Sequence, residues 1–170
     1  MPTPKDHEVL LPDNEFIVSK TDIKGRITYV NRVFMRIAGY SEQQLLNQPH
    51  SIIRHPDMPR GVFYFLWHTL QKNEEFFGYV KNLCADGSFY WVMANVTPDY
   101  DANETLSGYY SVRRKVSEKA KSEVTPIYQE MLKLEQNSSA PSAPKISAEY
   151  LFNLLEKNNV SYEEFVFSLT

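Results

Sequence analysis

Between Pro49 and Pro59 the chain gathers His50, Arg54, His55 and Asp57, then runs into the aromatic-rich Val62-Phe63-Tyr64-Phe65-Leu66-Trp67. Imidazoles, a guanidinium and a carboxylate beside a wall of aromatics suit a pocket for a large, flat, polar-edged ligand. On the residues alone a plainer reading is the stronger one: a proline-stiffened connection capping an ordinary amphipathic helix, because a single motif carries little weight. His50 and His55 stand five apart and lack the i, i+4 spacing of a helical metal pair. No Ser/His/Asp or Cys/His arrangement, phosphate loop or convincing acid pair is visible, so neither a catalytic nor a metal site is expected.

The 170 residues suit one domain with room for extra elements, and an aromatic content of 14% supplies a substantial core. The net charge is −3 with the basic residues scattered, which argues against nucleic acid as a partner. No apolar run approaches the roughly 20 residues that span a bilayer, and the polar start lacks the apolar core of a signal peptide. The single cysteine, Cys84, has no internal disulfide partner and favours a reducing compartment. A soluble, cytoplasmic, sensor-sized domain is the expectation.

The elements that must position the Pro49–Pro59 stretch are legible around it. Residues 1–14 read as a leader with no fold of its own. Residues 15–21 and 26–30 read as strands joined by Asp22-Ile23-Lys24-Gly25 turn chemistry. Asn31 and Gly39 bracket a short helix as N-cap and C-cap, and Ser41 with Gln44 forms a capping-box signal. The Pro49–Pro59 stretch is too rich in proline to be regular. Pro59 suits the first turn of a helix whose Phe63, Leu66, Trp67 and Leu70 recur at helical spacing. Strands are expected over 76–83, 88–97 and 106–114, with Asp86-Gly87 as a hairpin turn and 98–104 as a polar loop. This order predicts an α+β fold: a five-stranded antiparallel sheet with short helices and one long helix on one face, residues 15–114 forming the domain. Residues 115–136 read as an amphipathic connecting helix started or kinked in its second half by Pro126, and 137–146 as a flexible linker. Residues 147–170 read as two short helices. They superficially resemble a helix-turn-helix, but Glu149, Glu156, Glu163 and Glu164 point to protein docking instead of DNA.

Several short runs sharpen the order of elements. Tyr29-Val30-Asn31 followed by Phe34, Gly39-Tyr40-Ser41, Gln48-Pro49-His50, Arg54-His55-Pro56-Asp57-Met58-Pro59, Val80-Lys81-Asn82, Asp86-Gly87, Tyr90-Trp91-Val92, Pro98 and Ser107-Gly108-Tyr109 are all present. Together they resemble the PAS domain of bacterial aerotaxis receptors, over roughly residues 14–135, with Pro126-Ile127-Tyr128 similar to that family's continuation after the sheet. The resemblance implies a PAS fold, FAD held noncovalently, and a report of redox or energy state to chemotaxis machinery. It makes Arg54, His55 and Asp57 flavin-supporting positions, and Asn82 the amide that hydrogen-bonds the ring edge. Phe63 and Trp67 would pack against the flavin, with Asn31 and Arg113 completing the candidate set. Phe76 stands where the family often has Trp, and Leu83 where a basic residue is common. Both departures remove possible ligand contacts.

Photosensory flavin domains form a thiol adduct from a cysteine in a small helix. Here no cysteine lies between Asn31 and Trp67, so that chemistry is not expected. If Asn82 and Val80 face the ligand, Val92 and Ala94 lie inside and Trp91 and Met93 outside. That outer face would dock a partner, a second copy of the chain, or one of the chain's own terminal helices. The helix at 115–136 is a second candidate dimer contact. With no output module in the sequence, a chemoreceptor-like or other signalling protein acting in trans is the expected partner. The alternatives are a haem sensor ligated through His55, a small-metabolite sensor and a ligand-free adaptor.

Overall fold

Asp22 Oδ1 accepts the N–H groups of Lys24 and Arg26, each at 2.9 Å, and Gly25 takes the left-handed conformation with φ 77°. Together they turn the chain between β1 (Ile17–Asp22) and β2 (Ile27–Val30). The computed structural model describes residues 2–170. Asn31 Oδ1 caps α1 (Arg32–Ala38) by accepting from Phe34 N–H, and Gly39 closes the helix at φ 72°. Ser41 and Gln44 form the expected capping box on α2 (Glu42–Leu45).

The Pro49–Pro59 stretch is more ordered than its prolines imply. His50–Ile53 forms a 3-10 turn before α3 (Arg60–Leu70), for which Pro59 is the N-cap. Its start is tied to the β1–β2 hairpin: Pro49 bridges Arg26, and His50 N–H donates to Gly25 O at 3.0 Å.

β3 (Phe76–Leu83), β4 (Phe89–Tyr100) and β5 (Leu106–Arg114) complete a five-stranded antiparallel sheet in the order β2-β1-β5-β4-β3. β4 runs past Thr97, where the sequence reading placed a loop. Pairing with β3 stops at Phe76 opposite Val96, so Pro98 stands on a one-sided stretch where its missing donor goes unneeded. The registers Asn82↔Tyr90, Val80↔Val92, Ala94↔Arg113 and Ser19↔Ser111 put these side chains on one face, the face toward α3.

The opposite face is not free for a second copy of the chain. α4 (Glu118–Gln136), unbroken through Pro126, lays Tyr128 on it, with Val124 and Met131 of the same helix also buried. Trp91 stacks on Tyr128 at 6.2 Å, Tyr128 OH donates to Tyr79 O at 2.6 Å, and Met93 is buried. The proposed dimer contact through Trp91 and Met93 is therefore replaced by an intrachain one. The apolar stripe of the following helix reaches the face first because it is covalently attached.

The flexible linker expected over 137–146 shrinks to a turn. α5 begins at Ala143, and Pro144 in its first turn is well placed to start a helix. α5 (Ala143–Lys157) packs against α3 and α4, and α6 (Tyr162–Ser168) against β3. The leader is also anchored. β5 reaches along β4 only as far as Met93, which leaves the start of β4 with an open edge. Val9 N–H donates to Phe89 O at 2.7 Å and Phe89 N–H to His7 O at 2.9 Å, filling that edge.

Candidate functional site

A cavity of about 300 Å³ lies between the inner sheet face and α3. Its apolar walls come from Val80, Ala94 and Val96 on the sheet, and from Phe63, Leu66 and Trp67 on the helix. Sheet alternation and helical spacing deliver these side chains to one space. Exposed Lys24, Pro49 and Ser51 mark the opening.

One end is strongly polar. Arg113 is only 2% exposed, and its Nη2 donates to Ser19 Oγ above the ring of Phe34, 4.8 Å from the guanidinium. Its Nε and Nη1 are buried with no hydrogen-bond partner among the described residues, and burial pushes its pKa down to about 10. His50 Nε2 lies 3.2 Å from the same Ser19 Oγ. Burial, then the charge of Arg113, pushes His50 down to about 3, so the ring is neutral. Ser19 Oγ thus joins the guanidinium to the imidazole, and its hydroxyl can serve either tautomer of the ring. The Tyr90 hydroxyl is also buried, facing the Asn82 amide across the strand pair, and burial raises its pKa.

Arg54 enters from the other side. Its backbone bridges Asn82, its guanidinium sits 3.9 Å over the Phe63 ring, and its buried Nε has no partner. Burial lowers its pKa. Among the described residues neither Arg54 nor Arg113 has a carboxylate partner. A buried guanidinium with vacant donors is costly unless something accepts from it. The cavity thus offers cationic donors, the Asn82 amide and apolar walls that include the Phe63 and Trp67 rings, a chemistry suited to a ring system edged with carbonyl and nitrogen acceptors.

Of the sequence candidates, Arg54, Asn82, Phe63, Trp67 and Arg113 meet in this cavity. Three others lie elsewhere. His55 is buried outside the wall, with Nδ1 accepting from Asp57 N–H at 3.1 Å and its ring against Phe89. Haem ligation through His55 loses its geometric basis. Asp57 is largely exposed and pairs with Lys81 at 2.7 Å. Asn31 is spent on structure: Oδ1 accepts from Val18 N–H and Phe34 N–H, and Nδ2 donates to Phe16 O. The divergence inside the Arg-His-Pro-Asp run has a simple cause. The backbone from Arg54 to Met58 runs along the edge of β3, where Lys81 N–H meets Met58 Sδ, so successive side chains leave in different directions.

The cavity also contains His50, read from the sequence only as part of the polar stretch, and Ser19, Ser111 and Tyr109, which were not among the candidates. Strand alternation carried the signal for two of them, since Arg113 facing inward brings Ser111 and Tyr109 with it. Of the departures from the aerotaxis pattern, Phe76 packs on Phe65 beyond the cavity wall, and Leu83 is buried outside it. Cys84 is likewise remote, its Sγ donating to Ile37 O at 3.2 Å, and burial raises its pKa.

The model of the PAS fold matches residues 27–113, just over half of the chain. The chain belongs to the PAS family. It is 40% identical over 118 residues to the aerotaxis receptor of Escherichia coli strain K12, a match covering 69% of this chain and 23% of the receptor. A nitrogen fixation regulatory protein of Klebsiella pneumoniae is 34% identical over 100 residues, 59% of this chain and 20% of that protein. This PAS chain therefore spans about a fifth of the length of these curated relatives. Solved structures agree on the fold. The light state of the blue-light photoreceptor Aureochrome1 LOV superposes with TM-score 0.56 at 21% identity, covering 74% of this chain and 93% of that one. A PAS domain from Colwellia psychrerythraea gives 0.54 at 22% identity, covering 59% and 86%.

Proposed function

We propose that this PAS chain is a redox sensor that holds FAD noncovalently through its isoalloxazine ring and passes its state to a separate signalling protein. The buried Arg113, with two vacant donor nitrogens in the wall of a largely apolar cavity, is the observation that carries this reading. The similarity to an aerotaxis receptor supports it. About 300 Å³ accommodates one ring system and not a whole dinucleotide, so the adenosine portion would extend through the opening near Lys24 and Ser51.

Bound flavin supplies a redox couple whose ring charge and hydrogen-bonding pattern change on reduction. Arg113 would hold its positive charge and two vacant donors toward such a ring. Ser19 and neutral His50 are linked to the guanidinium, so a change in what Arg113 donates to is felt through Ser19 at the 3-10 turn. Asn82 offers donor and acceptor from one amide, and Arg54 anchors the wall opposite. Phe63 and Trp67, which line the cavity, would exclude water from a bound ring. The partner reading this state is a chemotaxis or other signalling protein in the cytoplasm.

An absorption spectrum of freshly purified protein, before and after dithionite, tests the reading. Flavin bands that bleach on reduction, with FAD as the extracted compound, are expected. Colourless protein that takes up no added FAD overturns it, and a Soret band would replace FAD by haem.

A further inference from the structure

Helix α3 has two working faces. Phe63, Leu66 and Trp67 line the cavity, while Gly61 and Phe65 meet the C-terminal helices α5 and α6. The approach at Gly61 is very close: a Cβ there would lie 2.1 Å from Ser147 Oγ and 2.7 Å from Ala148 N. Phe65 is held between Phe152 and Tyr162, each with ring centroids 4.8 Å away. At the crossing sits the carboxylate of Glu135, from the end of α4 and only 7% exposed. Its Oε1 accepts from Gly61 N–H at 2.9 Å and from Ser147 Oγ at 2.6 Å, while Oε2 lies 3.6 Å from Arg60 Nε. One side chain therefore fastens three helices at the N-terminal end of the cavity wall. α5 and α6 lie wholly outside the residues that match the PAS model.

We propose that α5 and α6 form a releasable strap, latched to α3 by Glu135, whose attachment is linked to what fills the cavity. The contact at Gly61 leaves no slack, so α3 cannot shift or rotate to accommodate a ligand without disturbing Ser147 and the two hydrogen bonds to Oε1. Release would bare Phe65 and Phe76 at the α3–β3 edge, now covered by Phe152 and Tyr162. The strap thus provides a surface that changes with the state of the cavity. The link to the cavity rests on the FAD reading; the latch itself does not.

Residue-resolved hydrogen exchange on the full chain tests the latch. Glu135→Ala and Ser147→Ala are expected to raise exchange in α5 and α6 by roughly tenfold to a hundredfold, the weight of hydrogen bonds to a charged group. Amides of β3, β4 and β5 should keep their protection. Glu135→Gln retains an oxygen at the Oε1 position and should restore the strap. Unchanged protection of α5 in Glu135→Ala, or exchange rising equally in the sheet in both alanine variants, overturns the proposal. FAD titration tests the link, since coupling between the two sites is reciprocal. Equal FAD affinity in wild type and Glu135→Ala would sever the strap from the cavity. A wild type that takes up no FAD removes the flavin reading instead, and exchange alone then decides the strap.

Discussion

The backbone of Arg54 bridges that of Asn82, so two residues 28 positions apart are fixed side by side at the cavity. The main chain makes this tie, so the Asn82 amide, beside its cross-strand neighbour Tyr90, is not needed for it. Asn82→Ala is therefore expected to melt within a few degrees of wild type while losing about tenfold in FAD affinity, the worth of one buried polar contact. Titration of FAD into the two proteins, with thermal melts alongside, measures both. An unchanged affinity would remove Asn82 from the site.

Arg113 carries a charge that the ligand-free fold does not pair. Replacing a buried, unpaired charge with an apolar chain of similar length is often neutral or stabilising. Arg113→Met without ligand is expected to be at least as stable as wild type in denaturant melts. The same variant should lose FAD binding by tenfold or more. Strong destabilisation with retained flavin would show that the guanidinium serves the fold instead.

His50 gives a pH signature. Its pKa in the fold is about 3, against an ordinary value of 6.5, so between those values the unfolded chain binds a proton that the folded chain refuses. Stability is fully present above about pH 6.5 and falls as pH drops toward 3, by at most on the order of 5 kcal/mol from this group. Burial shifts His55 in the same direction, so one substitution removes only part of the slope. His50→Gln keeps an acceptor for Ser19 and should flatten the acid limb of a urea-melt pH series. An identical limb would show that His50 is readily protonated in the fold.

Asn31 separates structural from ligand roles. Asn31→Ala deletes the α1 cap and the side-chain links to Val18 and Phe16, and should cost about 2 kcal/mol. Flavin content per folded molecule should not change, because Asn31 lies outside the cavity wall. Loss of flavin at undiminished stability would return it to the site.

Gly108 sits where β1 and β5 pair, opposite Asp22. A Cβ there would lie 1.8 Å from Thr21 O, a backbone atom with nowhere to go. Gly108→Ala should destabilise by on the order of 3 kcal/mol, read as a shifted midpoint in urea. A shift under about 0.5 kcal/mol would mean the strand pair gives way easily.

Much of this protein was determined locally and could be read without coordinates. Asn31 with Gly39, and Ser41 with Gln44, act within a few residues of themselves, so their capping roles follow from position in the chain. Alternation in β3, β4 and β5 put Asn82, Val80 and Ala94 on one face and Trp91 and Met93 on the other. The resemblance to aerotaxis PAS domains then supplied the family. Tertiary structure alone decided how the Pro49–Pro59 stretch divides. Because its backbone runs along the β3 edge, Arg54 faces the cavity while His55 and Asp57 turn away, and no periodic rule governs such a path. The same holds for the outer sheet face. Its apolar residues were legible, but α4 covers them, a result of how two distant segments meet. Glu135 is the extreme case: it reads as one more charge on a helix, and only the three-helix crossing at Gly61 makes it a buried fastening. Local propensity acts along the chain, whereas burial, desolvation and close approach depend on what folds in from elsewhere.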